Sequence, residues 1–198
     1  SVDHVVPQTW FNRSSQLYLN ASPVEDACQV VLVTRTENSS KGNKPIFLGR
    51  YDADLTDNPD RSLYRLPAAD APGFTDPRKG IIARCICYAF TTYLLIGQGG
   101  NDGWRPLDDS TGCRYYASIS DELIDMAADQ PVGELEQLNA LVLFYMHAWT
   151  NPLVLRPGML RENAEYKDLL LLRLKGDTEA GGAVAEALRG VIAGLPGS

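Results

Sequence analysis

The chain has 198 residues, 44% of them apolar and 22% charged, which is ordinary globular composition. That length supports one domain with a sizeable core, or at most two small ones. The formal charge of −7 argues against a broad electrostatic grip on a polyanion, because phosphate contacts need Lys and Arg.

Taken in order, residues 2–7 read as a β-branched strand stopped at Pro7. Trp10 to Ser22 is a mixed, polar surface excursion. Gln29 to Val33 is a second apolar strand. Thr36 to Gly42 is a short helix, ended by Gly42 and Pro45. Residues 46–78 form an ordered wrap, punctuated by Tyr51, Leu55, Tyr64, Leu66 and Phe74. Lys79 to Gly97 is a helix apolar nearly all round, and therefore central. Its apolar run is interrupted by Arg84 and falls short of the ~20 residues a membrane span needs. Residues 97–112 carry Gly-Gly and Asn-Asp-Gly turn signals and read as loop.

A helix from Ser120 to Asp129 has Ser120 as its N-cap. Glu134 to Trp149 is amphipathic, with Leu135, Leu138, Val142, Tyr145 and Trp149 at helical spacing. Leu160 to Leu174 and Glu179 to Ile192 are two further helices, split at Gly176. The fold class is α+β in one domain, 1–198. A small ββα unit (1–50) and a wrapping loop (51–78) pack on a mainly helical body (79–198).

The cysteines are Cys28, Cys85, Cys87 and Cys113, and no Cys-x-x-Cys pair points to a zinc knuckle. Cys85 and Cys87 read as small buried apolar residues, and an oxidising compartment would permit disulfides. With no signal peptide and no initiator Met, the chain reads as a mature or trimmed form.

Chemistry concentrates at Asp3-His4, where a carboxylate stands beside an imidazole. Together they offer a metal ligand and a general base on one short element. Adjacent strand residues face opposite sides, so serving one metal requires a twist or bulge at the strand end. Arg35, Lys41, Lys44 and Arg50 face only Glu37 in sequence, and form either a phosphate-binding cluster or a solvated face. Arg84 reads as an ion-pair partner of Glu136, His147 as a core or boundary residue, and Trp10 and Trp104 as packing.

Four motifs in order resemble the HNH, or ββα-metal, nucleases, closest to the endonuclease I family of periplasmic and secreted non-specific nucleases. The family carries Glu-His-Val-x-Pro; this chain has Asp3-His4-Val5-Val6-Pro7. It then carries Asn-x-x-Arg-Gly-Asn; here Asn38-Ser39-Ser40-Lys41-Gly42-Asn43 follows Asp26 by the family's spacing of 12. Its Lys/Arg-Gly-x-x-Ala-Arg-x-x-x-Tyr helix matches Lys79 to Tyr88, and its Glu-bearing helix running into Asn-Pro matches Glu136 to Asn151-Pro152. The resemblance spans roughly residues 2–152. Three departures stand out. Asp3 replaces the family's Glu, Cys28-Gln29 replaces its central His-Asn, and its upstream helical segment has no counterpart.

What the resemblance implies is a divalent-metal-dependent endonuclease of low sequence specificity that leaves 5′-phosphates. His4 is then the general base, and Asp3 and Asn38 hold one cation, Mg²⁺ first with Mn²⁺ or Ca²⁺ as alternatives. Arg35, Lys41, Lys44 and Arg50 contact phosphate, while Gln29, Asn43 and Arg84 support the site. The partner is nucleic acid, DNA first and RNA second, with no membrane partner. The compartment is periplasmic or secreted, with the cytoplasm as the alternative. Two rival readings are an inactive relative that binds nucleic acid or a protein, and a helical interaction protein whose N-terminal motif is accidental. Sequons at Asn12, Asn20 and Asn38 add a condition: a glycan on Asn38 is incompatible with its role as a ligand.

Overall fold

The computed structural model describes residues 2–7, 27–48, 63–66, 78–96 and 111–174. These are mostly helical, with two small two-stranded sheets, a loose α+β arrangement. The expected helix from Glu179 to Ile192, and most of the wrap and loop at 49–62, 67–77 and 97–110, lie outside the described residues.

Strand β1 (Val2–His4) pairs antiparallel with β2 (Val30–Leu32), with Asp3 opposite Val31 and His4 opposite Val30. Both strands are shorter than the pattern suggests. Val5 and Val6 leave the pairing to enter the core, each 1% exposed, and Gln29 closes a 3₁₀ turn that begins at Ala27. Helix α1 (Arg35–Lys41) follows directly, because Thr34 caps it. The Thr34 hydroxyl accepts from the Glu37 amide at 3.1 Å, and the Glu37 carboxylate accepts from the Thr34 amide at 2.8 Å. This reciprocal pair satisfies two otherwise orphaned donors. The helix stops at Gly42, whose φ of +51° is strained for any residue with a Cβ.

Strand β3 (Ile46–Phe47) pairs parallel with β4 (Tyr64–Arg65). The Tyr116 and Tyr115 hydroxyls, from helix α3 (Thr111–Ser118), accept from the amides of Ile46 and Leu48 at 2.9 and 2.7 Å.

Helix α2 (Arg78–Ile96) is central, and every side chain from Ile82 to Thr92 is buried. It packs against α4 (Ser120–Asp129), α6 (Pro152–Leu155) and α8 (Ala164–Leu174). Ser120 opens α4 rather than capping it; the cap position falls on Ile119. The single helix expected over 160–174 is two, α7 (Met159–Glu162) and α8, because Asn163 breaks it. The Asn163 side-chain oxygen accepts from the Tyr166 amide at 2.8 Å, the capping role Asn favours over a helix interior. Arg161 of α7 pairs with Asp125 and Asp129 on α4.

Helix α5 (Glu134–His147) turns its apolar stripe outward. Leu135, Leu138, Val142 and Tyr145 are exposed, as is His147, which is therefore neither core nor boundary. What faces the body is Glu136, Ala140 and Leu143. An ion pair with Arg84 fixes the rotation of this helix against its apolar pattern.

The approach of α2 to the end of α4 depends on Gly80, where a Cβ would lie 2.4 Å from the Gln130 Cβ. Gly80→Ala should therefore destabilise the protein by about 1–3 kcal/mol in urea unfolding, the usual range for overpacking. Gly133→Ala, with nothing within 4 Å of its Cβ position, should be near neutral in the same measurement.

Candidate active site

The antiparallel β1–β2 pair sets Asp3 on the inner face beside Val31. Asp3 is only 7% exposed, and its Oδ1 accepts from the Lys41 Nζ at 3.0 Å. Lys41, the last residue of α1, is itself 2% exposed. Its ammonium also donates to the His4 carbonyl at 2.7 Å and, more weakly, to the Gly42 carbonyl at 3.5 Å. One lysine thus ties the end of α1 to two consecutive residues of β1. Burial pushes the Lys41 ammonium below its ordinary value, and the Asp3 carboxylate opposes that shift. Lys41 is turned inward, away from the solvent-facing position that a phosphate contact requires.

Burial along α1 identifies its inner face. Glu37 and Asn38 are half-buried and Lys41 buried, while Arg35, Thr36, Ser39 and Ser40 are exposed. Asn38 is half-buried beside that face, while Glu37 and Lys41 are the α1 residues that share the cavity with Asp3. Arg35 and Lys44 are exposed, as a phosphate contact requires, and Asn43 is exposed as well. Arg50 and Asp26 lie outside the described residues, as does the Gln29 side chain.

His4 is half-buried and ends β1. Strand alternation places it on the face opposite Asp3, and the chain bends at Val5, directly after it. Two residues of one dipeptide are thus divided between the two sides of the sheet.

A cavity of about 480 Å³ opens between β1–β2–α1 and helices α2 and α5. Asp3, Glu37, Lys41, Tyr64 and Arg78 form its polar end, and most of the remaining wall is apolar. His4 and Asn38 are not in its lining. Glu37 and Arg78 are paired at 3.0 Å. Hydrogen bonds from Thr34 hold the Glu37 carboxyl below the usual carboxylate range, and Arg78 adds to this. Because that value is depressed on folding, Glu37 stabilises α1 above the ordinary carboxylate range and loses this contribution as it protonates in acid. Burial raises the Tyr64 phenol, and the Glu37 charge acts in the same direction. Glu37, Tyr64 and Arg78 were not among the residues expected at the site. The Thr-x-x-Glu capping pattern at Thr34–Glu37 is the signal that could have drawn attention to the first.

Arg84 is fully buried and pairs with Glu136, at 2.7 and 2.6 Å from Nε and Nη2. Its Nη1 donates to the Ala127 and Gln130 carbonyls at 3.1 and 3.0 Å. It supports the fold and is not presented to solvent.

Among the described residues, no three His, Cys, Asp or Glu side chains gather where they could hold a metal ion. The Asp3 carboxylate and the Asn38 amide oxygen are each the hard donor type that Mg²⁺ takes, but of the two only Asp3 lines the cavity. Lys41 occupies one Asp3 oxygen, and a carboxylate offers a second. Among the described residues, no helix is long and apolar enough to cross a membrane.

Comparison with family models, with curated proteins and with solved structures found no match to this chain.

The buried pair carries its own test. Lys41→Met should cost about 3–5 kcal/mol in chemical unfolding, because it strands the Asp3 charge inside the protein. Adding Asp3→Leu should recover most of that loss, since a buried pair replaced by apolar residues is often near neutral. A Lys41→Met variant as stable as the parent would mean that the pair does not hold β1 to α1.

Proposed function

We propose that the chain is a divalent-metal-dependent endonuclease of the HNH type, acting on nucleic acid with little sequence preference. The observation that carries the reading is the order of elements around Asp3. An antiparallel strand pair leads straight into a short helix, the first strand bears Asp3-His4, and the helix bears a half-buried Asn38. Lys41 locks strand to helix one turn beyond Asn38. The order strand, strand, helix supports the reading because it is the element order that the resemblance to ββα-metal nucleases implies.

In this reading Asp3 and Asn38 hold the cation through oxygen. A cation held there would supply charge neutralisation for phosphodiester cleavage. His4, as the neutral imidazole, accepts a proton from the attacking water. The water oxygen forms a bond to phosphorus, the P–O3′ bond breaks, and the leaving O3′ takes a proton from solvent water, giving a 5′-phosphate and a 3′-hydroxyl. Arg35 and Lys44 are exposed on and just after α1 and can meet the backbone phosphates. Lys41 takes no part in phosphate binding here; it holds Asp3 and the His4 carbonyl in place. For His4 to reach the same phosphate as Asp3, the chain must turn its side chain at the strand end, where the bend at Val5 begins.

One observation favours a second reading, an inactive relative that binds nucleic acid or a protein partner. Lys41 already neutralises Asp3, so folding supplies the countercharge that a cation would otherwise bring.

Incubation with supercoiled plasmid in Mg²⁺ or in EDTA separates the two. The nuclease reading expects metal-dependent nicking, with His4→Ala slowing it by ~10²–10⁴-fold. Metal-independent or absent cleavage by folded protein would favour the second. Binding should also weaken as salt rises, and Lys44→Ala should reduce the slope of log K against log salt by about one unit.

A further inference from the structure

Among the described residues, helix α5 meets the body along one face. Glu136 meets Arg84, Ala140 is buried and Leu143 is half-buried. These stand at i, i+4 and i+7 and so share a face. The opposite face carries Leu138, Leu141, Val142, Tyr145 and Met146, exposed by 57, 58, 44, 93 and 67%, and Leu135, 82% exposed, stands at its edge beside the cavity. Scaled by the size of these side chains, the band leaves on the order of 900 Å² outside, against about 800 Å² that each partner of a stable complex removes from solvent. Contiguous apolar patches on monomers are usually smaller.

The spacing of the band says what fits it. Leu135, Leu138, Val142 and Tyr145 recur at intervals of three, four and three residues. That is the seam into which another helix sets its side chains, knobs into holes. We infer that a second copy of the chain docks here, α5 against α5, antiparallel about a two-fold axis near Val142. The band is self-complementary in that arrangement. Leu138 of one copy meets Tyr145 and Met146 of the other, and Leu135 reaches the far end of the other helix. A two-fold interface uses the same patch twice, so one band supplies both sides. Antiparallel pairing also sets each positive helix N-terminus beside a negative C-terminus. A lipid surface is the poorer occupant, because a chain of charge −7 is repelled by anionic headgroups. The seam faces away from the Arg84 side of α5, so this inference stands independently of the nuclease reading.

The test is the mass of the full chain in solution by light scattering after gel filtration, across a wide range of concentration. A dimer is expected. Leu138→Glu and Tyr145→Glu, at positions exposed in the protomer, should shift it to monomer with helical circular dichroism unchanged. Val142→Cys should give a disulfide-linked dimer on mild oxidation that the parent chain does not form. A parent chain that is monomeric at every concentration overturns the inference, as does a dimer that both Glu substitutions leave intact. If both Glu variants fail to fold, the Val142→Cys cross-link decides: its formation supports the two-fold seam and its absence rejects it.

Discussion

A guanidinium buried in the middle of α2 sets the positions of its neighbours. Arg84 spends its donors on Glu136 of α5 and on two carbonyls at the end of α4. Its own carbonyl accepts from Asn151, whose side-chain oxygen in turn caps α6. A fully desolvated charge costs several kcal/mol unless every hydrogen-bonding position is met, so these elements have little freedom to move apart. Gly80, one turn earlier, lets α4 come close enough for its carbonyls to be reached. The helical body is organised around this one cation, and apolar packing fills in about it.

The same principle operates at smaller scale at the other end of α2. Arg78 pairs with Glu37, which is also the residue that caps α1. Lys41 then ties the far end of α1 to β1. A chain of charge contacts therefore runs from the central helix through α1 to the Asp3-His4 dipeptide. The strand that bears the proposed chemistry is only three residues long and, among the described residues, has a single strand partner. Its position is owed more to Lys41 than to its ladder.

Much of this was legible in the sequence, and the exceptions share a cause. The central helix followed from its long apolar run, and the lone charge inside that run, Arg84, read as an ion-pair residue with Glu136 among the acids downstream. Helix α1 was expected within a residue of its observed bounds. Local patterning failed where a specific polar contact overrode it. Helix α5 has an apolar stripe by periodicity, but Glu136 must reach Arg84, and that fixes its rotation with the stripe outward. Lys41 sits in a polar stretch that reads as a solvated face, and only the fold reveals that its partner is Asp3, distant in sequence. Asn163 divides a helix whose apolar spacing continues past it, because its side chain serves better as a cap. Periodicity reports which face is apolar; a buried charge decides which face is inside.

The two tyrosines of α3 have a consequence of another kind. Peptide groups of β3 that point away from β4 meet the hydroxyls of Tyr115 and Tyr116, and Tyr116 also approaches the Ile46 carbonyl at 3.4 Å. A two-stranded sheet ordinarily offers its outer rows of amides and carbonyls to any passing chain, which is how strands add and aggregates begin. Here a pair of phenolic oxygens occupies that edge of β3, where no third strand lies among the described residues, and the rings behind them pack on each other and on Phe47 and Phe90. Removing the oxygens alone would leave that aromatic packing in place while reopening a hydrogen-bonding edge. What the hydroxyls guard is therefore less the stability of one molecule than its separateness from the next.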